Sequence, residues 1–350
     1  MSGKHGQTPR QKKGMASGLA VGLAAVLVTG GALALQVTPP DPTDPVVEEP
    51  TSVPLTSAAL ACPAALPDAA DLTIGRAPGG DASSVEGSLE KRPSNRAKRS
   101  ALKVGADAVT TVQAEQATVV SGTGSMAPGL FGARFGTEKA PAAGECVTPA
   151  GERWFPGLGA GGFHESRLLL ANPDKGPAVV DLTIWSRTGP MRKVESRGLT
   201  IPASKSSEIN LAELAPEREE LAVQVTVSRG RVAVSTQDTY TPQGAEATTD
   251  WFPWTAPPAN EQVIPGLPRK ADENTLVLIN PGADEGRVSL KVRGADSEFA
   301  PTGLSDIRVP AGRVVVTELT DKLKQAIAKE DTSLAITSTV PVAASLRTVV

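Results

Sequence analysis

Histidine is the residue best suited to move a proton near neutral pH, and this 350-residue sequence has two, of which only His164 lies beyond the first 35 positions. A Ser-His-Asp arrangement would have to use His164, with one ring nitrogen on a hydroxyl and the other on a carboxylate. Gly161, Gly162 and Glu165 around it read as a loop ahead of a strand, so an imidazole without a catalytic task is expected, and a cryptic hydrolase using His164 is the alternative. A histidine metal site lacks a second imidazole, and Cys62 and Cys146 are far from the short spacing of zinc ligands. Acidic residues are scattered, without the alternating acidic loop that binds calcium. On this reading the chain has no catalytic, cofactor or metal residues and is not an enzyme.

Two further patterns have the outward form of a site. Glu217, Glu219 and Glu220 could be taken for glycosidase acids, but such acids face each other across a cleft, and these follow Pro216 in a polar stretch that reads as a solvated face. Gly157, Gly159 and Gly162 satisfy the glycine spacing of a dinucleotide loop. That loop needs a strand before it and a helix after it, whereas Pro156 precedes and a strand follows, so a flexible turn is expected. The aromatics are more informative: Trp154-Phe155 and Trp251-Phe252-Pro253-Trp254 stand at the two ends of one segment in polar surroundings. Indoles so placed can stack on sugar rings or anchor a partner peptide, or they can wedge adjacent β modules together.

The elements that must position these residues form a duplicated module. Phe155-Pro156-Gly157-Leu158 recurs as Ile264-Pro265-Gly266-Leu267, and Leu170-Ala171-Asn172-Pro173 as Leu278-Ile279-Asn280-Pro281. Ile201-Pro202-Ala203 returns as Val309-Pro310-Ala311, so Asn172 to Asn280 and Pro202 to Pro310 share an offset of 108. Beyond Leu211 and Leu319 the offset becomes 113 at Leu221 and Leu334. The insertion falls within Thr320 to Asp331, where Leu323, Ala326 and Ile327 have helical spacing behind a Thr320 cap. Val180, Leu182 and Ile184, and again Val288, Leu290 and Val292, alternate with polar residues and give each strand one apolar face. The expected fold is mainly β, with two tandem immunoglobulin-like β-sandwiches over 151–250 and 251–350.

Composition sets the surroundings. Aromatic residues make up 3% of the chain beside 34 Gly and 30 Pro, which favours short strands and many turns. Of the net charge of −3, four basic residues and no acid precede residue 36, so the remainder carries −7 and no nucleic-acid partner is expected. Residues 15–35 are uncharged and apolar over 21 positions, enough for a membrane-spanning helix, with 1–14 as a basic tail inside and the rest outside the plasma membrane. Secretion after cleavage near Ala34 is the alternative. Residues 36–57 read as a Pro-rich stalk. Residues 58–150 read as an irregular β region with runs at Leu72–Ile74, Ala108–Gln113 and Ala117–Ser121, bracketed by Cys62 and Cys146, which are expected to pair outside the cell. Lys91, Arg92, Arg96, Lys98 and Arg99 read as a solvated loop, or as a contact for an anionic wall polymer or lipid headgroups.

Cys62-Pro63, Cys146 ahead of Trp154-Phe155-Pro156-Gly157, and Ala171-Asn172-Pro173 at a strand end resemble an actinobacterial family of secreted or membrane-anchored proteins known only as a domain of unknown function. The resemblance implies an envelope location and transfers no functional residue. The function expected is therefore that of a non-enzymatic envelope protein, whose partner is a cell-wall polymer or another envelope protein. An accessory subunit of a membrane enzyme or transporter is the alternative.

Overall fold

A computed structural model describes residues 55–349 apart from 78–86, 96–97, 106–107, 138–140, 193–195, 242–243, 245, 269, 296, 322 and 324–331. The basic tail, the apolar segment 15–35 and residues 36–54 of the stalk lie outside the described residues, as do Ala326 and Ile327 of the expected helix. Among the described residues no helix is long and apolar enough to cross a membrane. The fold is mainly β, with several antiparallel sheets.

The first region is more regular than its sequence. Its strands are β1 (Ser57–Cys62), β2 (Asp71–Arg76), β3 (Leu89–Pro93), β4 (Ser100–Leu102), β5 (Val109–Gln113), β6 (Thr118–Thr123), β7 (Leu130–Phe135) and β8 (Ala143–Glu145). They form two four-stranded sheets, β1-β6-β3-β4 and β5-β2-β7-β8. Leu60, Leu72, Ile74, Leu89 and Val120 pack between them around a Cys62–Cys146 disulfide. A Cβ on Gly132 would stand 2.7 Å from Cys146 Sγ, so only glycine fits beneath the bridge. Arg134 also points inward from β7 and is fully buried.

The first copy follows with β9 (Glu152–Ala160), β10 (His164–Ala171), β11 (Ala178–Ser186), β12 (Gly189–Met191), β13 (Leu199–Ile201), β14 (Ser206–Asn210), the single helical turn α1 (Leu211–Leu214), β15 (Arg218–Arg229), β16 (Ala233–Tyr240) and β17 (Thr248–Trp251). Sheet β14-β10-β16-β17 faces sheet β12-β11-β15-β9, with β13 alongside β11. Their inner faces meet through Leu168 and Leu170, through Val180, Leu182 and Ile184, and through Leu221, Val223 and Val225. Trp251 thus belongs to a strand of the first copy, paired with Gln237, and not to the start of the second.

The second copy repeats this order in β18 (Ala259–Leu267), β19 (Glu273–Asn280), β20 (Gly286–Arg293), β21 (Glu298–Phe299), β22 (Ile307–Val309), β23 (Arg313–Glu318) and β24 (Thr332–Val349). Here the two closing strands are fused. The first half of β24 pairs with β18 and β20, and the second half crosses to pair with β19. The crossing lies near Pro341, which has no N–H to lose from a ladder.

The Asn-Pro motif explains part of the shared register. Asn172 Nδ2 donates to the carbonyls of Gly176 (2.8 Å) and Ile201 (3.1 Å), and its Oδ1 accepts from Asp174 N–H at 2.9 Å. Asn280 does the same with Asp284 (2.7 Å), Val309 (3.0 Å) and Gly282 (3.0 Å), each partner 108 residues on. Both amides are buried and fix the turn against the strand that returns beside it. Asn172→Ala and Asn280→Ala should each cost about 2 kcal/mol, since buried carbonyls lose their donors. Asp at either position should cost more, because a carboxylate would then face those carbonyls; denaturant titration of the four variants checks the order.

The copies stack face to face. Trp154 and Trp185, with ring centroids 5.3 Å apart, join Ala222 on the outer face of β9, β11 and β15. That face meets Val277, Ile279, Val314 and Ala343 on the outer face of β19, β23 and β24. Indoles bury large area, and the small residues opposite let the sheets approach.

Candidate functional site

A polar cluster lies at one end of the first copy, where the apolar core stops. Along β10 the inward positions run Leu170, Leu168, Ser166, His164, and opposite them β16 presents Val234, Thr236, Asp238, Tyr240. The period of two that fills the core with aliphatic residues therefore delivers a serine, an aspartate and a histidine side by side. His164 is not in a loop: it begins β10 and is 3% exposed. Gly159 lies directly against it, where an added Cβ would come within 2.3 Å of His164 Cβ.

The three residue types of a hydrolase triad are thus gathered, but in another order. His164 Nδ1 bonds Asp238 at 3.2 Å, as a triad imidazole would. Ser166 Oγ does not reach the imidazole; it donates to Asp238 Oδ1 at 2.5 Å and accepts from Gly159 N–H at 2.8 Å. The other ring nitrogen, Nε2, meets Arg347 Nη1 of the second copy at 2.7 Å. Arg347 Nη2 donates to Glu220 Oε1 at 3.0 Å, and its guanidinium lies 4.3 Å from the ring centroid of Tyr240. Tyr240 in turn donates to Glu273 of β19 at 3.3 Å. In the second copy the pair facing each other at the place of Ser166 and Asp238 is Asn274 and Thr348, joined at 3.0 Å and uncharged.

Glu220 corrects the reading of the acidic stretch as a solvated face: it is buried, and burial raises its pKa against the pull of Arg347 and His164. Glu219 is taken up by the Gly162 and Phe163 amides at 2.8 and 3.1 Å. Gly157 and Gly159 are strand residues of β9, not a flexible turn.

The aromatics divide between two seams. Trp154 lies between the copies, together with Trp185, while Phe155 belongs to the first core. Trp251 packs against Leu66 and Ala69 of the first region, and its Nε1 donates to Ala64 O at 3.0 Å. Trp254 donates to Glu145 at 2.5 Å and carries the Arg153 guanidinium 3.9 Å over its ring. Trp251, Phe252 and Trp254 line a shallow cleft.

Part of the basic stretch is also a seam, and Lys98 and Arg99 stay exposed. Arg92 is buried and donates to Ser204 O, Ser206 bonds Ser94 at 2.8 Å, and Lys205 reaches Asn95 O at 3.0 Å. Arg99 pairs with Glu90 at 3.2 Å. Arg96 lies outside the described residues.

A family model, described as a family of unknown function (DUF5719), matches residues 97–350, well over half the chain and all of both copies. The chain belongs to that family. No curated protein and no solved structure matches it. The DUF5719 match spans every residue of the polar cluster as well as Cys146, and begins after Cys62.

Proposed function

We propose that this DUF5719 protein is a non-enzymatic element of an actinobacterial-type cell envelope. Its tandem immunoglobulin-like sandwiches stand outside the plasma membrane on the apolar segment 15–35 and bind or scaffold a wall polymer or another envelope protein. The observation that carries the reading is the closed Cys62–Cys146 bridge, because such bonds form and persist in oxidising compartments. The non-enzymatic part is supported by His164, whose two ring nitrogens are both engaged and whose surroundings bury it.

The test is made in cells and extracts. Protease added to intact protoplasts should digest the region beyond residue 54, and thiol labelling without reductant should leave both cysteines unmodified; labelled cysteines and a protected chain would overturn the location. Retention on isolated peptidoglycan or wall polysaccharide, over a range of salt, supports direct wall binding. A stoichiometric membrane-protein partner in detergent pull-downs favours the accessory role.

A further inference from the structure

The bond between Arg347 and His164 constrains the state of the ring. A guanidinium only donates, so at 2.7 Å Nε2 must offer its lone pair, and the single ring proton sits on Nδ1, facing Asp238. A second proton would set N–H against N–H and cation against cation in a place closed to solvent. The displaced bond has a ready replacement: Glu220 Oε1 lies 3.9 Å from Nε2, and Glu220 Oε2 has no hydrogen-bond partner among the described residues.

His164 and Glu220 belong to the first copy and Arg347 to the second, so this exchange takes place across the seam between them. We propose that His164 is a proton-operated latch. Neutral, it accepts from Arg347 and closes the copies on each other; doubly protonated, it turns to Glu220, releases Arg347 and loosens the seam.

The groups around the ring are Asp238 and Tyr240 from β16, Glu220 from β15, Arg347 from β24 and, through Tyr240 and Arg347, Glu273 from β19. Glu219 is turned away onto backbone amides. Three carboxylates against one permanent cation accept a second positive charge without overcharging the cluster. Glu220 itself works in the opposite sense. Its raised folded-state pKa means that its own contribution to stability grows as pH falls through that value, so loosening in acid must come from the imidazole.

The experiment uses the full-length chain in detergent with Trp254→Phe, which removes one partly exposed indole of the four. Acrylamide quenching then reports Trp154 and Trp185 at the seam over a Trp251 background. The quenching constant should rise by about twofold, reversibly and with unchanged circular dichroism, as pH is lowered from about 8 to about 5. His164→Gln can accept from Arg347 but cannot charge, and should stay closed across the range. Arg347→Gln should be open already at the upper end. A parent protein that stays protected at the lower pH, or an H164Q protein that opens as the parent does, overturns the latch. If H164Q fails to fold, an R347Q protein as protected at high pH as its parent overturns it equally.

Discussion

Arg134→Met is expected to destabilise the first β region by about 4 kcal/mol, because it removes the group that ties the β1–β2 loop to the β5–β6 loop. Arg134 Nε donates to Pro63 O at 2.7 Å, Nη1 to Ala70 O at 3.2 Å, and Nη2 to Ala114 O at 2.5 Å and Gln116 O at 3.3 Å. None of these acceptors is a carboxylate, so the cation is held by carbonyl dipoles alone, and burial pushes its pKa down to about 10. A lowered pKa on a base means that the folded chain carries a desolvation cost at every pH below that value; the hydrogen bonds to backbone carbonyls offset it. Methionine avoids that cost but takes the donor from the Pro63 and Ala114 carbonyls, while those of Ala70 and Gln116 keep the Ala114 N–H and the Thr118 hydroxyl, and the loss is the larger effect. Lysine should recover only part of the loss, since one ammonium cannot reach all the carbonyls of the two loops. Chemical denaturation of R134M and R134K, followed by near-ultraviolet dichroism of the disulfide-bearing region, checks the ranking; equal stability of R134M and the parent would refute it.

Arg134 also shows why this region was hard to read. In Leu130-Phe131-Gly132-Ala133-Arg134-Phe135 the apolar pattern points Phe131 and Phe135 inward, yet both are exposed, at 41% and 57%, while Gly132 and Arg134 face the core. The inversion follows from two needs that hydrophobicity does not encode: room for the disulfide above Gly132 and donors for loop carbonyls at Arg134. In the copies, by contrast, Val180, Leu182 and Ile184 alternate cleanly into the core, and Asn172 and Asn280 mark equivalent turns. There the side-chain pattern and the structural requirement coincide, and the duplication doubles the signal.

The polar cluster was legible only in fragments. His164 stood out by scarcity, but Arg347, Asp238 and Tyr240 are ordinary residues until the β10–β16 register and the stacking of the copies bring them together. One signal was available: Trp185 alternates onto the outer face of β11, opposite the aliphatic positions, and an indole on a face otherwise carrying Asp181 and Thr183 needs a cover. The second copy is that cover. The basic stretch misled for the same reason, since Arg92 and Ser94 are buried by a loop more than a hundred residues away, and spacing along the chain carries no trace of it.

Converting both cysteines to alanine should cost about 4 kcal/mol, the loop-closure entropy returned to the unfolded chain by opening a bridge of sequence separation 84. The loss should not stay within the first region. Cys146 follows the edge strand β8, and the next residue, Val147, exchanges two backbone bonds of 2.9 Å with Ala61 before the chain enters the first copy at Glu152. The staple therefore secures the exit strand on which Trp251 and Trp254 close the seam, through Ala64 and Glu145. Both sulfurs are buried beside Leu60, Leu72 and Ile74, so reductant should act slowly on the folded protein and quickly once denaturant opens this core. Reduction kinetics with and without subdenaturing urea, alongside a C62A/C146A melt, measure both effects. Rapid reduction in buffer alone would show that the bridge is not enclosed and does not secure the seam.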